Sequence, residues 1–270
     1  MELIEAENGV AYYKSKLIPC VHGFSTRIGG ISTLDHTASL NLGMGRGDDD
    51  NTVLENLERF SSALGIEPKS VISVSQIHSV NIRTVDERHR GEGFYTKETQ
   101  PCDGYIAYTP QISLGVRTAD CVPVLLYAEK NDLSAVAALH AGWRGTAGGI
   151  VKKAVEQLVS EGFDSKNIKA AIGPSISSCC YTVKEDFYLA FSETAGEMLT
   201  REFVIPVSDG IWKADLKGAN KKMLENLGVL PENIDVSNEC TCCNPKAFFS
   251  HRYSHGHRGT MLSVIANIRR

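Results

Sequence analysis

The sequence predicts a mixed α/β (α+β) fold, built as a single-domain layered sandwich with mixed β-sheets. Apolar runs of strand length are interspersed with amphipathic stretches of helix length, without strict alternation, which favours a mixed sheet. The chain has 270 residues, enough to bury a substantial core. It contains no internal repeat, low-complexity tract or Pro/Ser-rich linker, so we expect one domain over residues 1–270.

The predicted strands are runs rich in Val, Ile, Leu and Ala that are bounded by polar residues or glycine. Their ranges are 71–78, 104–108, 112–118, 122–128, 134–140, 169–174 and 259–269. Four other stretches have the length and apolar periodicity of helices, at 49–66, 148–162, 183–199 and 212–228. Asp49 or Asp50 is the candidate N-cap of the first helix, and glycines end the second and the fourth.

The composition excludes several classes of function. A formal net charge of -4 with no basic run provides no electrostatic surface for nucleic acid. No apolar stretch approaches the roughly 18 residues of a membrane-spanning helix. The N-terminus is acidic and lacks the apolar region of a signal peptide, so we expect a cytoplasmic protein.

Eight cysteines are present, in a chain with no secretory signal. A core of this size does not need disulfides, and a reducing compartment would keep the thiols free. We therefore expect buried free thiols, of which one is a candidate metal ligand or nucleophile.

Three predicted strands carry a metal-binding or nucleophilic side chain at or beside an end. These residues are His78, Cys121 and His140. Two imidazoles and one thiolate suit Zn²⁺, and three protein ligands leave a fourth position open, as in catalytic zinc sites. Their spacing matches no zinc finger.

The same residues permit other interpretations. Each histidine could be a hydrogen-bonded core residue, and Cys121 could be an inert buried thiol. A metal-free hydrolase would use Cys121 as nucleophile and His140 as base, with Asp120 or Gln76 orienting the base. Asp120 could also orient a metal ligand, act as a general base, cap the next segment, or pair with a nearby arginine.

Two glycine-rich bends are candidate anion sites. In one, Gly145 and Thr146 lie close to the start of a predicted helix, and Arg144 adds a guanidinium that can grip two phosphate oxygens. In the other, residues 23–32, Arg27 precedes a pair of glycines. Neither matches a P-loop or a dinucleotide-binding motif, and tight turns are the alternative interpretation.

The segment 240–257 is rich in cysteine and histidine. A second metal site is one interpretation, but the usual pair of CxxC motifs is absent, and we favour buried thiols followed by a polar hairpin. Phe249 and Arg252 are candidates for the walls of a pocket that holds a planar ring, although core packing is expected for at least one of Phe248 and Phe249.

Taken together, the motifs resemble one family over residues 20–270. They are GFSTRIGGIS, SLNLG, QIHS, CDGYIA, TADCVPVLL, LHAGWRGT, AIGPSIS followed by CY, and CTCCNPKAFFSHR, in that order. The set resembles the YfiH/YlmD-type family, long labelled multicopper polyphenol oxidoreductases or laccase-like proteins.

The resemblance implies a fold, a metal site and two activities. The family fold is a compact α/β sandwich with a distant likeness to toxins that deamidate glutamine. Its zinc ligands correspond here to His78, Cys121 and His140. Members are associated with phosphorolysis of adenosine, inosine and methylthioadenosine and with deamination of adenosine. The older label implies copper, so copper is possible in place of zinc.

We therefore expect a zinc-dependent purine nucleoside phosphorylase with adenosine deaminase activity. The expected partners are purine nucleosides and phosphate, without nucleic acid, membrane or an identified protein partner. The alternatives are a copper-dependent polyphenol oxidase, a Cys–His hydrolase or deamidase, and a non-enzymatic binding protein. The expected catalytic residues are His78, Cys121, His140 and Asp120. The expected phosphate and base contacts are Arg27, Arg144, Gly145, Thr146, Phe249 and Arg252.

Overall fold

A computed structural model describes residues 1–269, and it confirms the predicted mixed α/β class. The strands are β1 (Glu2–Glu5), β2 (Ala11–Lys14), β3 (Cys20–Ser25), β4 (Val71–Ile72), β5 (Ile82–Thr84), β6 (Gly104–Ala107), β7 (Ser113–Thr118), β8 (Val122–Lys130), β9 (Leu133–Ala141), β10 (Lys169–Ile172), β11 (Thr182–Lys184), β12 (Val204–Ser208), β13 (Ile211–Ala214), β14 (Ile234–Val236) and β15 (Met261–Arg269). The helices are α1 (Asp50–Leu64), α2 (Trp143–Ala147), α3 (Ile150–Ser160), α4 (Glu185–Ala195), α5 (Glu197–Phe203) and α6 (Leu216–Asn226).

The strands form two large sheets and one small sheet. The first large sheet has the order β1-β2-β3-β15-β7-β4, and the second has the order β14-β10-β8-β9-β6-β5. The small sheet is β11-β13-β12. Most neighbours are antiparallel, but β4 runs parallel to β7, β5 to β6 and β10 to β14, so both large sheets are mixed.

The two large sheets stack face to face. Leu125 and Tyr127 of β8 belong to the same buried cluster as Leu114 of the first sheet. The alternate residues Val124 and Leu126 pack instead with the helices on the far side. Side chains of a strand alternate between the faces of its sheet, so β8 is buried on both faces. This explains why its sequence is a continuous apolar run rather than an alternating one.

Helices cover the two outer faces of this sandwich. Leu57 and Phe60 of α1 pack with Val264 of β15 on the outside of the first sheet. The Asp49 side chain accepts a hydrogen bond from the Asn51 N–H and caps α1, which ends at Gly65 in the left-handed conformation. On the outside of the second sheet, α3, α4 and α6 contribute to one large cluster.

The expectation of a strand over 71–78 is wrong beyond Ile72. A side chain replaces the backbone in pairing with β7, because the Gln76 Nε2 donates to the Arg117 carbonyl at 2.8 Å. The Gln76 Oε1 accepts from the Arg117 N–H at 2.7 Å. The backbone of this segment is therefore free to leave the sheet, and it reaches His78 in a left-handed conformation with φ of 58°.

Two predicted helices also differ from the structure. Gly196, with φ of 86°, separates α4 from α5 within the predicted range 183–199. The start of the range 212–228 is strand β13, and α6 begins only after Asp215, whose side chain accepts from the Gly218 N–H. The strands β1, β2 and β3 were not predicted.

Residues 1–269 include no helix with the length and apolar character needed to cross a membrane.

Candidate metal centre and pocket

His78, Cys121 and His140 converge at one place in the structure. His78 lies on the loop after β4, Cys121 in the turn between β7 and β8, and His140 near the end of β9. Their potential ligand atoms all lie within 4.8 Å of one another. The Cys121 Sγ is 3.9 Å from the His78 Nε2, and the centroids of the two imidazole rings are 4.9 Å apart. The fold therefore brings together the three donors that the sequence singled out.

A buried carboxylate, which sequence reasoning missed, holds both histidines. The Asp103 Oδ1 accepts from the His140 Nδ1–H at 2.8 Å and from the His78 N–H at 2.9 Å. Its Oδ2 accepts from the N–H and the hydroxyl of Ser79, each at 2.7 Å. Because Asp103 occupies the Nδ1 of His140, that ring presents its Nε2 to the centre, which is the usual arrangement of a metal-binding histidine. The position of Asp103 immediately before the buried strand β6 was the available signal.

The charges of this centre are coupled. Burial alone would raise the pKa of the Asp103 carboxyl, but hydrogen bonds from His140 and Ser79 lower it to about 2. Burial would also raise the pKa of the Cys121 thiol, but His140 and His78 outweigh burial and lower it to about 6. Against the effect of burial, Cys121 and Asp103 raise the pKa of His140 to about 9. The centre thus favours a thiolate, the form of cysteine that binds metals and attacks electrophiles.

Gly142 leaves the space in which the three side chains meet. A Cβ atom at this position would lie 3.1 Å from the His78 ring, 3.3 Å from the Cys121 Sγ and 3.6 Å from the His140 ring. The contacts with His78 and Cys121 are tighter than ordinary van der Waals packing, so a side chain at residue 142 would displace these two donors by a few tenths of an ångström. This close approach explains why residue 142, two positions after His140, is a glycine.

A pocket of about 310 Å³ opens onto the three donors. Arg46, Arg117 and Arg258 line it, together with Glu98. Thr260 also lines the pocket, is 4% exposed, and has an Oγ1 without a hydrogen-bond partner in the described part of the chain. The buried Nε of Arg258 is unpartnered in the same way. Both atoms are enclosed by the surrounding protein, and the three guanidinium groups are what give the pocket its polar, positively charged lining.

Asp120 makes different contacts from those that the sequence analysis considered for it. Its Oδ1 accepts from the Thr241 hydroxyl at 2.6 Å, and its Oδ2 accepts from the Arg252 N–H at 2.7 Å. It pairs with neither Arg117 nor Arg144 among the contacts of residues 1–269. Both oxygens are used to hold the C-terminal loop, and the histidines are oriented by Asp103 instead.

Arg27 and Phe249 do not reach the pocket. The Arg27 guanidinium donates to the carbonyls of Ala38 and Pro245, at 2.7 Å and 2.9 Å, and lies over the Phe249 ring. Phe249 is 1% exposed and packs in a small apolar cluster with Phe248. The expectation that these two side chains contact phosphate and base is corrected, because both are committed to holding loops together.

The bend at 142–146 also differs from the expected anion site. Gly145 and Thr146 lie inside the short helix α2, and the Thr146 N–H donates to the Gly142 carbonyl at 2.8 Å. The Thr146 hydroxyl donates to the Ala141 carbonyl, and Gly145 allows close approach to the backbone at His140. These residues therefore shape the end of β9 rather than offer free donors.

The remaining two arginines of the prediction lie outside the pocket lining. Arg144 is exposed and stacks on the Trp143 ring at 4.2 Å. The Arg252 side chain donates to the carbonyls of Cys180 and Thr182. The structure thus surrounds the three donors with arginines other than those that the sequence indicated.

Comparison with known proteins places the chain in a family. Residues 21–267 match the family model described as multi-copper polyphenol oxidoreductase laccase. The chain belongs to this family. As a member of the laccase-like family, it is 36% identical over 251 residues to "Purine nucleoside phosphorylase YlmD" of Geobacillus stearothermophilus, covering 91% of this chain and 89% of that protein.

Two further comparisons extend this result. This laccase-like family member is 33% identical to "Adenosine deaminase RL5" of an unknown prokaryotic organism, over 88% of this chain and 90% of that protein. The crystal structure of YlmD from Geobacillus stearothermophilus superposes with a TM-score of 0.87 at 32% identity, covering 99% of this chain and 98% of that one. The predicted resemblance to the YfiH/YlmD-type family is confirmed.

Proposed function

We propose that this protein is a zinc-dependent purine nucleoside phosphorylase that acts on adenosine, inosine and methylthioadenosine and also deaminates adenosine. Two relatives, one named a purine nucleoside phosphorylase and the other an adenosine deaminase, support both activities. The observation that carries the proposal is the pocket in which His78, Cys121 and His140 meet three arginines. Its volume lies at the lower end of the range of small-molecule sites.

The donor set fits zinc. Two imidazole nitrogens and one thiolate sulfur are zinc ligands, and three protein ligands leave a position open to the pocket. The hydrogen bond from His140 to Asp103 supplies the carboxylate support that such ligands require. A bound zinc ion would supply Lewis acidity at the base of the pocket.

The arginines provide a phosphate site. In phosphorolysis, an oxygen of hydrogen phosphate forms a bond to C1′ of the ribose, and the C1′–N9 bond breaks with its electron pair moving to the purine. The proton of the hydrogen phosphate ends on the departing purine. Arg46, Arg117 and Arg258 would offset the charge of the phosphate and orient it, since guanidinium groups bind two oxygens of one phosphate.

Deamination uses the same purine in the same pocket. Water adds at C6 of adenosine, and the exocyclic nitrogen leaves as ammonia, so inosine is the product. Inosine is itself a substrate of the proposed phosphorolysis, and one pocket can therefore carry out both reactions in succession.

The products of adenosine incubated with inorganic phosphate test this function. Ribose 1-phosphate together with adenine or hypoxanthine is the expected result, and inosine alone would leave only the deaminase. Arg258→Ala should raise the KM for phosphate about ten- to hundredfold through the loss of charged hydrogen bonds. Arg144→Ala is the matched control, because this exposed guanidinium lies outside the pocket lining and the KM for phosphate should not change.

A metal-free Cys–His hydrolase is the second candidate. One observation favours it: the reactive atoms of Cys121 and His140 lie within 4.8 Å of each other, and Asp103 accepts from the His140 Nδ1–H and orients the imidazole. Stoichiometric alkylation of Cys121 separates the two proposals. If zinc occupies the centre, zinc should protect the thiol and chelation should abolish activity; a hydrolase would keep its activity after chelation.

Copper is the alternative metal. Two histidines and a cysteine also form the ligand set of mononuclear copper sites, whereas multicopper oxidation requires several more histidines. Within residues 1–269, the other group of potential ligands contains cysteines and no histidine. Measurement of the metal content, together with a search for a thiolate-to-copper absorption band, decides between the metals.

A further inference from the structure

Four cysteines outside the pocket converge from two loops. Cys179 and Cys180 lie on the loop between β10 and β11, and Cys240 and Cys243 lie on the loop after β14. Their four Sγ atoms are within 4.8 Å of one another, with Cys243 3.4 Å from Cys179 and 3.3 Å from Cys180. All four are free thiols. The histidines at 251, 255 and 257, which the sequence offered as partners, are not in this group.

Apolar packing does not explain this convergence. Cys179 and Cys243 are exposed, so little apolar area is removed from water by bringing them together. Zinc bonds to sulfur are about 2.3 Å long, which places the sulfurs of a tetrahedral site about 3.8 Å apart. The sulfur separations are 3.9 Å between Cys179 and Cys180 and 3.3–3.4 Å from Cys243 to these two, so the four thiols need to move apart by only a few tenths of an ångström to hold the ion. Four sulfur donors form the closed ligand set of structural zinc.

Nearby hydrogen-bond donors and one buried positive charge would offset the negative charge of a zinc ion bound by four thiolates. The Cys240 Sγ accepts a hydrogen bond from the Ser177 N–H at 3.4 Å. Lys217 is 6% exposed, and its ammonium donates to the carbonyls of Ser237 and Glu239, beside Cys240. No carboxylate of residues 1–269 lies within ion-pair distance of this ammonium. A zinc ion with four thiolates carries a net charge of −2, which would offset the buried positive charge of Lys217.

We propose that Cys179, Cys180, Cys240 and Cys243 bind a structural zinc ion separate from the pocket. The ion would fasten together two loops that also hold the backbone next to the pocket. Thr241, between two of the ligands, donates to Asp120, the residue immediately before Cys121. Arg252 donates to the carbonyl of Cys180 and, through its N–H, to Asp120. Loss of this ion would therefore loosen the turn that carries Cys121.

Zinc content, measured on protein purified under reducing conditions, tests the proposal. Wild type should contain about two zinc ions per chain, and Cys121→Ser and Cys243→Ser should each contain about one. Cys242→Ser is the matched control, since this thiol lies in the same loop but outside the four, and it should keep the wild-type content. Cys243→His should retain the second ion because histidine also binds zinc.

Cobalt spectroscopy covers the case in which Cys243→Ser does not fold. Cys121→Ser loaded with Co²⁺ should show the intense sulfur-to-cobalt bands of a tetrahedral tetrathiolate site. Absence of zinc from Cys121→Ser, or retention of both ions by Cys243→Ser, would overturn the assignment. So would disulfide bonds among these cysteines in the reduced, metal-loaded protein. The test measures metal content and not phosphorolysis, so its result is independent of whether the proposed activity is correct.

Discussion

Replacement of Asp103 by asparagine tests how the fold positions the two histidines. The carboxylate accepts five hydrogen bonds, two on Oδ1 from His140 and His78 and three on Oδ2 from Ser79 and the Ile77 N–H. An amide offers only one oxygen, so at least two donors lose their acceptor whichever way the amide points. Each unpaired donor costs about 1–3 kcal/mol, so Asp103→Asn should lower the free energy of unfolding by about 2–6 kcal/mol.

The same substitution should also weaken the binding of zinc at His78, Cys121 and His140. Replacing the carboxylate that supports a metal-binding histidine typically costs about ten- to hundredfold in metal affinity. Competition with a chromogenic chelator measures the zinc affinity, and urea unfolding of the chelated protein measures the stability.

Asp120→Asn is the matched control for this experiment. Asp120 is also a buried carboxylate, but its two partners are on the C-terminal loop, and neither is a histidine. It should lose stability, and its zinc affinity should fall less than that of Asp103→Asn, because Asp120 acts on the donors only through the turn that carries Cys121. Equal zinc affinities for wild type and Asp103→Asn would refute the role that we assign to Asp103.

Three further predictions concern the neighbouring structure. Gly142→Ala should lower zinc affinity about tenfold or more with little change in urea unfolding, because the added methyl group contacts all three donors. Gln76→Ala removes the two hydrogen bonds that replace strand pairing, and should lower the free energy of unfolding by about 1–3 kcal/mol. His22 is buried, accepts from the Ser15 N–H and has a pKa lowered to about 4, chiefly by burial. Below about pH 6.5, His22 binds a proton in the unfolded chain but stays neutral in the folded protein. Its contribution to the free energy of unfolding is therefore complete above that pH, and the free energy of unfolding should fall by about 2 kcal/mol at about pH 5. Urea unfolding at a series of pH values measures this loss, and His22→Gln should reduce it.

Contrary results are specific to each of these predictions. Unchanged zinc affinity in Gly142→Ala would mean that the donors meet elsewhere than beside residue 142. Wild-type stability in Gln76→Ala would show that the loop before His78 is held by other contacts. An identical pH dependence in wild type and His22→Gln would assign the acid sensitivity to other groups.

The fold could be predicted where burial is complete. The strands β8, β9 and β15 follow apolar runs because each packs in a buried cluster on both faces of its sheet. β1 escaped prediction because it has only four residues and alternates between half-buried and exposed positions. The strand expected over 71–78 failed because one glutamine side chain took over the hydrogen bonds of the backbone.

The site could be predicted only in part, for reasons of distance along the chain. The three donors stand in recognisable motifs, but Asp103 becomes their support only because β6 pairs with β9 and the His140 N–H donates to the Asp103 carbonyl. Arg46 and Arg258 lie on loops more than two hundred residues apart in sequence, and no local pattern joins them. Arg27 was wrongly predicted to bind phosphate because a glycine-rich motif of this kind also forms a tight loop, and here the carbonyls of Ala38 and Pro245 accept from the half-buried guanidinium.

Zinc titration of the chelated protein, with ribose 1-phosphate formation from inosine and phosphate followed in the same samples, tests the central claim most directly. The account predicts that chelated wild type is inactive, that activity rises with zinc bound at His78, Cys121 and His140, and that Cys121→Ala stays inactive at any zinc concentration. Ribose 1-phosphate formed at the full rate by the chelated protein, or by zinc-loaded Cys121→Ala, would contradict it.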